Sequence, residues 1–168
     1  EGRRMRRSAL FVAVGILAVF ASPLAPAPAA AQGGIPKLSL DVYGMTGTAG
    51  PVFLPSVITV PQVPIVLNLT FINNDTQPLN FHTFTIDNED RSSAGLVDSG
   101  FIRPGNRTFL EFTVNSMTNI TNGTVTFVPE PSARGIRFYC IPHRLEIGGQ
   151  PAGMIGEIVL AGAPTGDE

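Results

Sequence analysis

From Leu38 onward the chain alternates short apolar-rich runs with Gly, Pro and Asn. Pro64–Asn73 is the clearest case, with Ile65, Leu67, Leu69 and Phe71 on one side and Asn68 and Thr70 on the other. Arg107–Asn115 alternates as well, setting Leu110, Phe112 and Val114 against Phe109, Glu111 and Thr113. Successive side chains leave a strand on opposite faces, so period-two alternation marks a half-buried strand. On this basis strands are expected at Leu38–Tyr43, Ser56–Val60, Pro64–Asn73, Asn80–Asp87, Arg107–Asn115, Gly123–Val128, Gly135–Cys140 and Met154–Leu160. Turn formers separate them at short intervals, which predicts an all-β fold, an antiparallel Greek-key sandwich or barrel of about eight strands. Beyond residue 32 no apolar stripe has helical period and end caps, and only a short helix or turn around Glu89–Leu96 is expected.

The N-terminal pattern is different. Arg3, Arg4, Arg6 and Arg7 precede an uncharged apolar run of 13 residues, Ala9–Ala21, and then a Pro/Ala tract ending Ala29-Ala30-Ala31-Gln32. Positive, apolar and then small residues is the layout of a secretory signal. The run falls short of the ~20 apolar residues a spanning helix needs. Residues 1–31 are therefore expected to form a signal peptide cleaved after Ala31, or else a retained membrane anchor. Residues 32–168 then form a single domain, exported to the periplasm or to the outer face of the cytoplasmic membrane.

Composition narrows the function classes. Charged residues are 14% of the chain, with 18 glycines and 15 prolines, which suits a loop-rich β protein. Residues 32–168 carry seven basic and twelve acidic side chains, a net charge of −5 with one lysine, Lys37. Such a surface offers little to a phosphate backbone, so nucleic acid is not an expected partner. About 137 residues bury a core without disulfide staples. The whole chain holds one cysteine and two histidines. An internal disulfide is excluded, and so is a zinc site of four Cys/His ligands.

Those three residues carry the candidate chemistry. Cys140 and His143 stand in Tyr139-Cys140-Ile141-Pro142-His143, and His82 in Asn80-Phe81-His82-Thr83-Phe84-Thr85-Ile86-Asp87. Strand parity places His82 with Phe84 and Ile86, and Cys140 with Ile136 and Phe138, so both ligand types share a face with core residues. Met154, eleven residues after His143, shares its face with Ile158 and Leu160. A thiolate, two imidazoles and a thioether suit copper, which must be held both as Cu(I) and as Cu(II). A lone buried cysteine is most often an inert small hydrophobe and a lone histidine a core residue; here the spacing to His143 and the inward face of His82 favour metal.

With these motifs the chain resembles the cupredoxins, the small blue copper proteins related to plastocyanin. The resemblance covers most of the mature domain in pattern, and its specific part is Tyr139–His143, His82 and Gly153-Met154-Ile155-Gly156. It implies one type 1 copper per chain, with His82, Cys140 and His143 as equatorial ligands and Met154 as the axial one. It also implies that the Thr83 backbone N–H bonds the cysteine sulfur, while the Thr83 hydroxyl ties the two ligand segments together. Relatives have a shorter segment between the second histidine and the methionine; here Arg144 to Gly153 makes ten residues, and the extra Arg144–Gly149 stretch is expected to loop outward. Met45, in the Gly-rich Tyr43–Gly50 segment, is the fallback thioether.

The resemblance implies a one-electron carrier that passes electrons through the exposed edge of His143. Ile141, Pro142 and Gly148–Gly153 would form an uncharged docking surface for exported or membrane-bound redox proteins. The carrier is expected to be a monomer, meeting a membrane only if the N-terminal segment is retained. Catalysis is not expected: multicopper oxidases and copper nitrite reductases need further histidines, and this chain has only the two. The alternative is a periplasmic copper-binding or chaperone protein without electron transfer. Five Asn-X-Thr triplets, at Asn68, Asn74, Asn106, Asn119 and Asn122, are acceptors only in a glycosylating cell. The acidic group Asp87, Glu89 and Asp90 reads as a solvated turn.

Overall fold

The computed structural model describes residues 34–89, 96–147 and 150–163. The expected signal over residues 1–31, and all but the ends of the expected Glu89–Leu96 turn, lie outside them. Among the described residues there are eleven strands and no helix. No helix among them is long and apolar enough to cross a membrane.

One sheet contains β1 (Lys37–Gly47), β2 (Gly50–Leu54), β4 (Ile65–Asn73), β7 (Arg107–Ser116), β8 (Asn119–Asn122) and β9 (Val125–Phe127), in the order β2-β1-β4-β7-β8-β9. The other contains β3 (Val57–Val60), β5 (Thr85–Asp87), β6 (Leu96–Asp98), β10 (Gly135–Ile147) and β11 (Gln150–Leu160), in the order β3-β11-β10-β5-β6. The fold is a β-sandwich, as its alternation predicts, but the sheets are mixed rather than purely antiparallel. β1 runs parallel to β4, and β3 parallel to β11. The cause is the chain path: after the β1–β2 hairpin it crosses to the second sheet for β3, then returns to lay β4 beside β1.

Alternation becomes burial. In β4 the side chains of Ile65, Leu67, Leu69 and Phe71 are buried, and Asn68 is exposed. In β7, Phe112 and Val114 are buried while Phe109 faces solvent. Four phenylalanines join the sheets: Phe53 of β2 and Phe71 of β4 from one side, Phe84 and Phe138 of β10 from the other. The Phe53 ring lies 5.0 Å from Phe138 and 6.1 Å from both Phe71 and Phe84, and Phe84 stacks on Phe138 at 4.7 Å. Edge-to-face and offset-stacked pairs are favoured by the ring quadrupole and add to the gain from burial. The aromatic centre and Cys140, two residues along β10 from Phe138, belong to the same buried core.

The expected strand at Asn80–Asp87 is mostly not a ladder. Only Thr85–Asp87 pairs continuously, and His82 makes a single antiparallel bridge to Ile102. The segment is held by its burial instead, since His82, Thr83, Phe84, Thr85 and Ile86 are all buried.

Phe138→Ala removes a ring that meets Phe53 from the first sheet and Phe84 beside it. A loss of ~3–5 kcal/mol is expected, read as a lower urea midpoint with an unchanged slope.

Candidate metal centre

The β10–β11 hairpin contains the irregularity that builds the site. Tyr139 pairs with Ile155 and Arg144 with Gly153, so the four residues Cys140–His143 on β10 stand opposite Met154 alone on β11. Such a bulge lets a strand turn two side chains toward the same side at a three-residue spacing, which strict alternation forbids. Beyond it the ladder resumes through Ile147↔Gln150. Of the stretch expected to loop outward, Arg144–Ile147 is instead paired strand, opposite Gln150–Gly153. Gly153 makes the close approach possible: it has φ of 84°, and a side chain there would collide with the His143 carbonyl oxygen. A non-glycine residue is poorly suited on both counts.

The bulge brings Cys140 and His143 to His82. The Nδ1 atoms of His82 and His143 are 3.2 Å apart, and Cys140 Sγ lies 3.3 Å from His143 Nδ1 and 3.6 Å from His82 Nδ1. An ion centred in this triangle stands ~2 Å from each donor, close to the ~2.0–2.3 Å of metal–nitrogen and metal–sulfur bonds. His82 and Cys140 are fully buried and His143 is half-buried. The three residues can therefore hold a metal ion.

Two sets of hydrogen bonds fix the donors. The Thr83 backbone N–H donates to Cys140 Sγ at 3.3 Å, and the Thr83 hydroxyl oxygen accepts from the Ile141 N–H at 2.8 Å. One residue thus ties the His82 segment to the Cys140 segment twice, by the two bonds expected of it. Thr85 Oγ1 stands 3.1 Å from Thr83 Oγ1 and donates to Asp98 Oδ1 at 3.0 Å, extending the tie across β5 and β6. On the other side, His82 Nε2 lies 2.7 Å from Asp75 Oδ2. The Asp75 carboxylate also accepts from the Thr46 backbone N–H and hydroxyl, both at 2.9 Å. Gly44, two residues before Thr46, leaves room for the imidazole: a Cβ there would press to 3.0 Å from His82 Cβ.

Burial sets the electrostatics. It pushes the Cys140 thiol up from 9.0, offset only in part by the Thr83 backbone and hydroxyl and by the His143 backbone. It pushes the His143 imidazole down from 6.5, with His82 adding to the effect and Asp75 opposing it. For Asp75, burial acts upward, but the Thr46 backbone, His82 and the Thr46 hydroxyl outweigh it and hold the carboxyl below 3.8. An imidazole kept neutral has its lone pair free for a cation.

Of the residues singled out in the sequence, His82, Cys140 and His143 converge. Met154 is fully buried within the core, on β11 directly across from the bulge. Met45 belongs to β1, and because its neighbour Gly44 faces His82, alternation turns Met45 away. Asp75 was not singled out. It lies in a polar stretch, Asn73-Asn74-Asp75-Thr76, that reads as a turn, and nothing in its spacing to His82 marks a contact. No family model matches the chain, and no curated protein matches it.

Two outcomes are expected of the metal-free protein. Because His143 has its pKa lowered on folding, the unfolded chain binds the proton first. The stability this group contributes is full above its ordinary value of 6.5 and is lost as pH falls through the lowered folded value. Urea midpoints measured across that window should fall for the wild type and less steeply for His143→Gln. Thr83→Val keeps the N–H on the sulfur but removes the acceptor for Ile141, and should cost ~1–2 kcal/mol in the same assay.

Proposed function

We propose that the protein is a cupredoxin-like carrier of single electrons, with one copper held by His82, Cys140 and His143 and an axial Met154. The observation that carries this reading is the triangle of one sulfur and two imidazole nitrogens, all within 3.6 Å, with an amide N–H on the sulfur. One thiolate with two imidazoles in a trigonal set, completed by a weak thioether, is the donor set of blue copper electron-transfer sites. The metal supplies the redox couple. The chain's own residues fix the donors so that little moves when the charge changes, and they exclude water from the sulfur side.

His143 is the one member of the triangle that is not fully buried, so its ring is the proposed exit for the electron. Exposed apolar side chains stand near it in the chain, Ile141 and Leu145, with Ile147 farther along the hairpin and Leu79 before His82. Uncharged surfaces of this kind suit the brief, weak encounters of redox partners. The proposed partners are exported or membrane-bound redox proteins, with the chain acting as a monomer. The arginine cluster and apolar run before Ser22 support export to the periplasm or the outer membrane face. With both histidines used as ligands, none is left for a second, catalytic copper, which supports a carrier rather than an enzyme.

Cu(II) added to the purified domain should give an intense visible band and unusually narrow copper hyperfine splitting. Cys140→Ser should abolish both. A protein that stays colourless would overturn the reading. Tight copper binding with no electron exchange with a small redox dye would favour a copper store or chaperone.

A further inference from the structure

Asp75 is not placed among the donors, yet its carboxylate is held by Thr46 and His82 beside the site. Its side chain is 7% exposed and the His82 side chain is 0% exposed, so water is not available to replace either partner. A carboxylate only accepts, so the 2.7 Å contact with Asp75 Oδ2 requires an Nε2–H on His82, and where the ring carries a single proton it is that one. Nδ1 is then left with its lone pair aimed at Cys140 and His143.

The carboxylate has little freedom to swing away. Thr46 donates to it twice, and the Asp75 N–H donates to Asn73 Oδ1 at 3.0 Å. The Asn73 amide in turn donates to the carbonyls of Asn80 (2.7 Å) and Ile102 (2.8 Å). The Ile102 backbone exchanges both its hydrogen bonds with the His82 backbone, at 3.2 and 2.8 Å. Ring and carboxylate are thus fastened to the same frame.

We infer that Asp75 is a positioning residue for the copper centre: it fixes His82 in the tautomer that presents Nδ1, and its charge favours the more oxidised metal. This rests on the copper reading above. A negative charge accepting the far N–H makes the imidazole a stronger donor, and the gain is larger for Cu(II) than for Cu(I). Partners of this kind typically change metal affinity by ~10–100-fold. If the change falls on Cu(II) alone, each tenfold corresponds to ~59 mV in a one-electron potential.

Two substitutions separate hydrogen bond from charge. Asp75→Asn keeps an acceptor for the Nε2 proton and removes the charge; Asp75→Leu removes both. The purified chain and both variants are first studied metal-free, by nitrogen-15 NMR of the imidazole rings. The wild type and Asp75→Asn should show His82 protonated on Nε2, and Asp75→Leu should lose that preference. Cu(II) and Cu(I) affinities are then measured separately against chelators of known strength. The ratio of Cu(II) to Cu(I) affinity should fall ~10-fold or more in both variants. A wild type with Nε2 unprotonated overturns the inference, and so does an affinity ratio unchanged in both variants. A chain with the expected tautomer that binds no copper overturns the copper reading and the redox half of this inference, leaving the positioning half supported. The tautomer is read without metal, so the two failures are distinguishable.

Discussion

Three donor atoms stand within 3.6 Å of one another in a largely buried cluster, and wherever neither a proton nor a cation lies between two of them their lone pairs oppose that approach. In a flexible loop the donors would relax apart. Here each is anchored to a different part of a packed sandwich. His82 rests between Gly44 and the Asp75 carboxylate, Cys140 continues the inward row of Ile136 and Phe138, and His143 is turned in by the bulge against Gly153. The apolar core thus supplies the stiffness that makes the polar site possible. Cohesion of the aromatic centre offsets the cost of crowding the donors.

The site also joins two kinds of bonding that act in different directions. The Thr83 pair ties the strand segments laterally, within and beside the second sheet. The contact from Thr46 through Asp75 to His82 runs from β1, in the first sheet, to a residue beside the second. A donor set held along one direction alone would still be free to shear along the other. Buried polar groups impose such definition only when they are satisfied, and His82 Nε2 and the sulfur of Cys140 both have partners in the frame.

Much of this was legible in the chain. The inward faces of β4 and β7 follow from strict alternation, and the pairing of an inward cysteine with a histidine three residues on marks the site. The expected roles of the Thr83 amide and hydroxyl coincide with bonds in the structure. Other features left no such mark. β2 holds Phe53, a keystone of the aromatic centre, in a five-residue strand that contains Pro51 and is followed by Pro55, too short for a period to declare itself. β6 and β8 are shorter still, and Asn119-Ile120-Thr121-Asn122 turns a single apolar residue inward. The hairpin beyond His143 reads as loop because its glycines and proline mask a ladder that the neighbouring strand enforces. Asp75 meets His82 through the path of the backbone, and no one-dimensional pattern encodes that.

The order in which the chain is made gives the parallel pairing of β1 with β4, and of β3 with β11, a temporal meaning. Gly44 and Thr46, which receive His82, lie near the start of the described domain, while Cys140, His143 and the whole of β11 lie near its end. Strand β3 finds its parallel neighbour only when the last strand docks. Contacts so distant in sequence form late, since loop closure must precede their reward. The donor triangle therefore does not exist as a site on a nascent chain that still lacks β10 and β11. An ion meeting such a chain would find an isolated imidazole or a lone thiol, and selection among metals would begin only at the finished fold.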